Sequence, residues 1–98
     1  MKEYRRLGAS VKPTHNVGQG FGDAVIGLHG INDIIEIKDP RQPPSKRKLT
    51  PDEQEFHDSW KGLILIIETN NDVKEHIESM RIRSEALQSF FSEYIIKE

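Results

Sequence analysis

The sequence contains no cysteine, a single tryptophan and no long apolar run. Without cysteine there is no disulfide, no thiolate nucleophile and no zinc ribbon, which fits a reducing compartment. No segment approaches the roughly 20 apolar residues that a membrane span needs. The opening MKEYRRLG lacks the apolar stretch of a secretion signal. The expectation is a soluble cytoplasmic protein with no membrane partner. Its 98 residues are read as one domain, with a core over 9–68 and a helical segment over 70–98. A chain of this length buries roughly 60–70% of its extended surface, so its core is modest.

An excess of positive charge is also missing, since the net charge is −2. That figure hides an asymmetry. Residues 1–48 carry nine Lys/Arg against five Asp/Glu, whereas residues 49–98 carry five against eleven. A local basic face steers phosphate more than net charge does, so a nucleic-acid partner stays open and its face falls in the first half.

Along the chain, Lys2–Leu7 reads as a helical turn ended by Gly8, and Ala9–Val11 as a short strand stopped by Pro13. Thr14–Gly22, with Gly18, Gly20 and Gly22, reads as a loop. A strand follows it instead of a helix, so it is not a dinucleotide fingerprint, and a flexible connection is expected. Asp23–Leu28 and Ile31–Lys38 are rich in β-branched residues and flank His29-Gly30, a hairpin signal. The period of two puts Ile34, Glu36 and Lys38 on one face, and Asp33, Ile35 and Ile37 on the other. Asp39–Leu49 holds three prolines and the cations Arg41, Lys46, Arg47 and Lys48, so no regular element is expected. It is either a solvated linker or a basic flap that grips a nucleic-acid backbone.

Thr50, Pro51 and Glu53 form a strong helix start with a T-x-x-E capping box. Phe56 and Trp60 make its expected core stripe, with Gln54, His57 and Lys61 on another side and Gly62 as its end. Leu63–Ile67 (LILII) is expected as an interior strand covered on both faces. Asn70–Glu98 reads as helix in two stretches. The first is capped by Asn70 or Asn71 and carries Val73, Ile77 and Met80. The second runs from Ser84 with Ala86, Leu87, Phe90, Phe91, Tyr94 and Ile95, a stripe that packs on the sheet or forms a dimer surface. The fold class is α/β, a small mixed sheet flanked by helices.

Chemistry concentrates at two strand ends. Asp23 opens the first hairpin strand and Glu36-Ile37-Lys38 closes the second, so a tight turn brings them together. Two carboxylates and the Ile37 carbonyl are hard oxygen donors that suit Mg2+ or Mn2+. Such an ion activates water and offsets charge at phosphorus. Lys38 would orient the nucleophile or stabilise developing charge. On pattern alone, a surface Glu–Lys pair with an incidental aspartate explains the same residues. The histidines His15, His29, His57 and His76 form no ligand spacing, and ordinary surface or turn roles are expected for each. No nucleophile-elbow motif is present.

Gly18–Gly62 resembles the VRR-NUC branch of the PD-(D/E)XK nucleases, in particular its small stand-alone phage and bacterial members. The shared order is a Gly-rich loop into an aspartate (Gly20–Asp23), an apolar strand (Ala24–Leu28), a Gly turn (Gly30) and the Glu36-Ile37-Lys38 triplet. The basic Lys46–Lys48, Leu49-Thr50 with Gln54, and Trp60 complete it. The resemblance implies a restriction-endonuclease-like core and metal-dependent cleavage of DNA, often at branched or Holliday-junction-like structures, by a homodimer in a bacterial cell or phage-infected host. It maps Asp23 and Glu36 onto metal ligands, Lys38 onto the catalytic lysine and Gln54 onto a helix glutamine near the site. Three features depart from the pattern. Gly22 stands where a proline is usual, no V-R-R follows LILII, and Glu3 is not matched to the glutamate of the family's longer first helix. The alternative is a non-catalytic DNA-binding or assembly module on a degenerate nuclease fold.

Overall fold

The β-branched runs on either side of His29-Gly30 do form a hairpin. The computed structural model describes residues 1–94, which run α1 (Lys2–Arg6), β1 (Ser10–Pro13), β2 (Ala24–Leu28), β3 (Ile31–Ile37), α2 (Pro44–Arg47), α3 (Pro51–Ser59), β4 (Ile64–Ile67) and α4 (Asn70–Tyr94). His29 (φ 49°) and Gly30 (φ 85°) both adopt the left-handed backbone that a two-residue turn between right-twisted strands requires. The register sets Ala24 opposite Ile35 and Leu28 opposite Ile31. β1 joins antiparallel on the far side of β2, and β4 joins parallel to β3, giving a mixed sheet in the order β1-β2-β3-β4. A parallel neighbour needs a long crossover, which residues 38–63 and α3 provide. The fold class is therefore α/β, with a four-stranded mixed sheet and helices, as expected.

One face of the sheet carries the core. Ala24, Ile26 and Ile35 are fully buried there against Tyr4 of α1 and Val73, Ile77 and Met80 of α4. Each large apolar side chain buried in this way contributes about 1.5–3 kcal/mol. Asp33 lies on the same face, where an unpaired carboxylate would be expensive. Arg83 answers it with two hydrogen bonds, 3.0 Å to Oδ1 and 2.6 Å to Oδ2. His76 Nε2 adds a third contact at 2.7 Å, and the opposite ring nitrogen meets the Tyr4 hydroxyl at 2.7 Å. Burial works to raise the Asp33 pKa, but the Arg83 and His76 bonds outweigh it and hold the carboxyl below its usual range. Burial first, and then the Asp33 charge, push the Tyr4 phenol up. His76 is thus a buried core histidine, not the surface residue expected, because α4 turns it onto Asp33.

α4 is one continuous helix where two stretches are expected. Its cap is Thr69, not Asn70 or Asn71. Asp72 donates its N–H to Thr69 Oγ1, and Asp72 Oδ2 accepts from the Glu68 and Thr69 amides. Val73, Ile77 and Met80 are buried as expected, but the second half of the stripe does not pack on the sheet: Phe90 and Phe91 are exposed. Length explains this. A 25-residue helix spans about 37 Å at 1.5 Å per residue, well beyond strands of five to seven residues. Leu87 reaches the hairpin turn at Gly30, and the helix runs past it. Ile95 lies outside the described residues.

Three further expectations are corrected. LILII is an edge strand, with β3 on one side only, and Leu63 and Ile66 are exposed. Phe56 and Trp60 do not form a core stripe. Phe56 stacks between Phe21 and Trp60 at centroid distances of 5.1 and 5.3 Å, and Trp60 is itself exposed. The helix ends at Ser59 rather than Gly62, since Trp60 turns extended and its indole fills the space beside Gly62. Among the described residues no helix is long and apolar enough to cross a membrane.

Candidate active site

The Gly-rich loop is fastened at both ends, so it is more than a flexible connection. The Thr14 N–H donates to Asp23 O at 2.9 Å, and the Thr14 hydroxyl donates to Gly22 O at 2.5 Å. Gly20 has φ 78° and lies directly against the Asp52 carbonyl in the first turn of α3, where a Cβ would not fit. Gly20 therefore serves a close approach, to a helix of the same chain. α3 begins as its sequence dictates. Thr50 Oγ1 accepts the Glu53 N–H at 3.2 Å, while Glu53 Oε1 accepts the Thr50 N–H at 2.8 Å.

These anchors bring four side chains together on the sheet face opposite the core. Asp23 donates its N–H to Ile35 O at 2.8 Å, and its Oδ2 accepts the Ile37 N–H at 2.6 Å, so its carboxylate is fixed at the end of β3. Glu36 is 1% exposed and has both the Asp23 and the Glu53 carboxylates within hydrogen-bonding reach. Lys38 Nζ lies 2.9 Å from Glu53 Oε1 and 3.9 Å from Glu36 Oε1. The two-residue period thus puts Glu36 and Lys38 side by side as expected, and the hairpin brings Asp23 to them.

The electrostatics follow from that crowding. Burial first, then the hydrogen bonds and charges of Glu53 and Asp23, push the Glu36 pKa from 4.5 up to about 9. Glu53 moves the other way. Its bond to Glu36, and then those from the Thr50 amide and Lys38, hold it well below the usual carboxylate range against the opposing effect of burial. Glu36 Oε1 is buried and makes no hydrogen bond, with the Lys38 ammonium beyond bonding distance at 3.9 Å and the acidic groups of Asp23 and Glu53 close by. A shared proton or a cation would satisfy such an oxygen. The side chains gathered here offer carboxylate oxygens and no nitrogen or sulfur ligand, the donor chemistry that a hard divalent ion such as Mg2+ or Mn2+ prefers. Among the described residues no group of three or more His, Cys, Asp or Glu side chains already stands at metal-ligating spacing.

The sequence reading missed Glu53 as a member of this cluster. Its signal was present in the capping box itself. An N3 glutamate that bonds back to the N-cap amide directs its carboxylate toward the chain entering the helix. Gln54, the glutamine singled out instead, is exposed and donates to Asp58 Oδ1 at 2.8 Å.

The basic segment is not wholly irregular, since Pro44–Arg47 makes one helical turn with proline at the position where its missing N–H is harmless. Its cations are not equivalent. Arg41 is tied to Asp39 at 3.0 Å and Arg47 to Glu68 at 3.3 Å. Lys46 and Lys48 are exposed and form no ion pair among the described residues.

No family model matches the chain, and no characterised protein or solved structure matches it either.

Proposed function

We propose that the protein is a Mg2+- or Mn2+-dependent DNA endonuclease, selective for branched, Holliday-junction-like DNA, with a PD-(D/E)XK-type core. The observation that carries this reading is the buried, donorless Glu36 oxygen, set between Asp23 and Lys38 at the ends of paired strands. The resemblance of Gly18–Gly62 to the VRR-NUC branch supports it, as does the order of the elements.

Asp23, Glu36 and the Ile37 carbonyl would hold the ion, which supplies an activated water and offsets charge on the scissile phosphate. Lys38 presents its ammonium beside that cluster, where it orients the attacking water and stabilises the charge that develops on phosphate oxygen. Gln54, one residue beyond Glu53, is exposed and would exchange its bond to Asp58 for a contact with a bound strand. Lys46 and Lys48, together with Arg41 and Arg47, hold the phosphate backbone. A homodimer would give two such sites the separation that a junction requires, and exposed Phe90, Phe91, Leu63 and Ile66 offer apolar surface for it.

The test is incubation of purified protein with branched and linear DNA in Mg2+ or Mn2+. Metal-dependent cleavage of the branched substrate that disappears in Lys38→Ala supports the reading. Equal cleavage by wild type and variant overturns it. The reading from another class, a non-catalytic DNA-binding or assembly module, has one observation in its favour, the engagement of Lys38 by Glu53. DNA binding retained with no Mn2+ uptake in calorimetry would select it.

A further inference from the structure

We propose that Glu53 is the third carboxylate of the cation site, delivered by the first turn of α3. This inference rests on the reading of Asp23 and Glu36 as cation ligands.

Three observations lead there. The Lys38 ammonium lies 2.9 Å from Glu53 Oε1 and 3.9 Å from Glu36 Oε1, and the Asp23 carboxylate accepts the amide of Ile37, the residue after Glu36. Glu36 Oε1 makes no hydrogen bond on a side chain only 2% exposed, and the Lys38 ammonium stands off from it at 3.9 Å. The bonds that Glu53 accepts from Lys38 Nζ at 2.9 Å and from the Thr50 amide at 2.8 Å both go to Oε1, and its carboxylate also meets Glu36. The charge balance agrees. Three carboxylates against the single Lys38 ammonium leave two negative charges, and one divalent cation cancels them.

The same bonds define a second task for Glu53. Through Oε1 it holds the Lys38 ammonium beside the cluster, and through the cap it ties that ammonium to the start of α3. Gly20, packed on the Asp52 carbonyl, fixes the helix start against the loop that presents Asp23. The three acidic groups therefore come from three separate segments that lock onto one another, which gives the site the rigid support that a ligand set requires.

The experiment separates a ligand from a helix cap. Glutamine satisfies a capping box as well as glutamate does, so Glu53→Gln keeps the cap and removes the charge. Thr50→Ala does the reverse. Mn2+ binding is measured by calorimetry on the full chain without DNA, alongside thermal unfolding. Wild type is expected to bind Mn2+. Glu53→Gln is expected to bind it at least about 10-fold more weakly with little change in Tm, and Thr50→Ala to lose Tm while keeping its Mn2+ affinity. Wild-type affinity in Glu53→Gln overturns the proposal and leaves the nuclease reading standing. Failure of wild type to bind Mn2+ overturns both. If Glu53→Gln does not fold, Glu53→Ala replaces it. That variant loses the cap as Thr50→Ala does, and equal Mn2+ affinity in those two overturns the proposal.

Discussion

Lys38 Nζ stands 2.9 Å from Glu53 Oε1, so the ammonium in the carboxylate cluster is held by a helix start and not by the strand it follows. Removing it leaves three carboxylates with no internal counter-charge. We expect Lys38→Ala to lower DNA cleavage at least about 100-fold, the usual loss when a transition-state donor is removed. DNA affinity should change little, because the flap cations remain. Single-turnover cleavage and fluorescence anisotropy on the same substrate separate the two effects, and a parallel loss of both would show Lys38 to be a binding residue.

Glu36 is a fully buried carboxylate set among other acidic groups. Its pKa is raised from 4.5 to about 9, so across that window the folded protein holds a proton that the unfolded chain has released. Stability of the cation-free protein therefore falls as pH rises from about 5 towards 9. Glu36→Gln removes the titration, so the variant should be more stable than wild type at pH 7.5 by about 1 kcal/mol or more. Its pH profile should be flatter across the same window, and it should no longer bind Mn2+. Urea unfolding at several pH values measures the effect, and a less stable variant at pH 7.5 would contradict it.

Where local chemistry decides, the structure was legible in the sequence. The hairpin at His29-Gly30, the Thr50 capping box and the common face of Glu36 and Lys38 each depend on residues a few positions apart. What escaped was decided across the chain. His76 is polar on a helix until Asp33, 43 positions away, gives it a buried partner. LILII has the composition of an interior strand, but an interior place needs a neighbour on each side, and strand composition does not supply one. Glu53 was visible as a cap and not as a site residue because its second role depends on where Lys38 and Glu36 lie after the crossover. The Phe56–Trp60 pair has helical core spacing, yet α3 meets the sheet through the Gly loop, so its aromatics stack on Phe21 instead.

On the opposite face, Asp33 anchors α4 to β3 through Arg83 and His76. Asp33→Ala leaves buried His76 and part-buried Arg83 without their shared acceptor, and we expect it to destabilise the fold by about 3 kcal/mol. The sign of the pH effect is that of a depressed carboxylate. Its stabilisation is full above the unfolded pKa and is lost as pH falls through the lower folded value. Wild type should therefore lose stability steeply in acid, and Asp33→Ala should lose much less. Thermal melts between pH 2 and 7 test this, with equal acid sensitivity in both proteins as the contrary result.

The flap cations should divide into two pairs. Arg41 and Arg47 each have a carboxylate partner, whereas Lys46 and Lys48 have none among the described residues, so only the lysines offer charge that is not already compensated. Neutralising Lys46 and Lys48 together should reduce the slope of log K against log salt by about 2, and Arg41→Ala by clearly less than about 1. Anisotropy titrations from low to physiological salt give those slopes directly. Equal slopes for all the variants would remove the flap from the interface.

Gly22 sets the position of Asp23, and the reason is space rather than backbone conformation. A Cβ at this position would lie 2.6 Å from Ile34 Cγ2 and 2.6 Å from Ile35 O. The isoleucine methyl can rotate away. The carbonyl cannot, because it accepts the Asp23 N–H at 2.8 Å within the strand pairing. A proline here would bring a Cβ into the same contact. Gly22→Ala must therefore shift the loop or the end of β3, at a cost of about 1–3 kcal/mol. It should also carry the Asp23 carboxylate away from Glu36. We expect its Mn2+ affinity to fall at least about 10-fold, as it does when a ligand's support is disturbed. Gly18→Ala is the control. It has φ 75° and open space around it, so it should lose about 1 kcal/mol through its left-handed backbone and keep its Mn2+ affinity. If Gly22→Ala is destabilised yet binds Mn2+ like wild type, the position of Asp23 does not depend on this glycine, and the aspartate is held by the Ile37 amide alone.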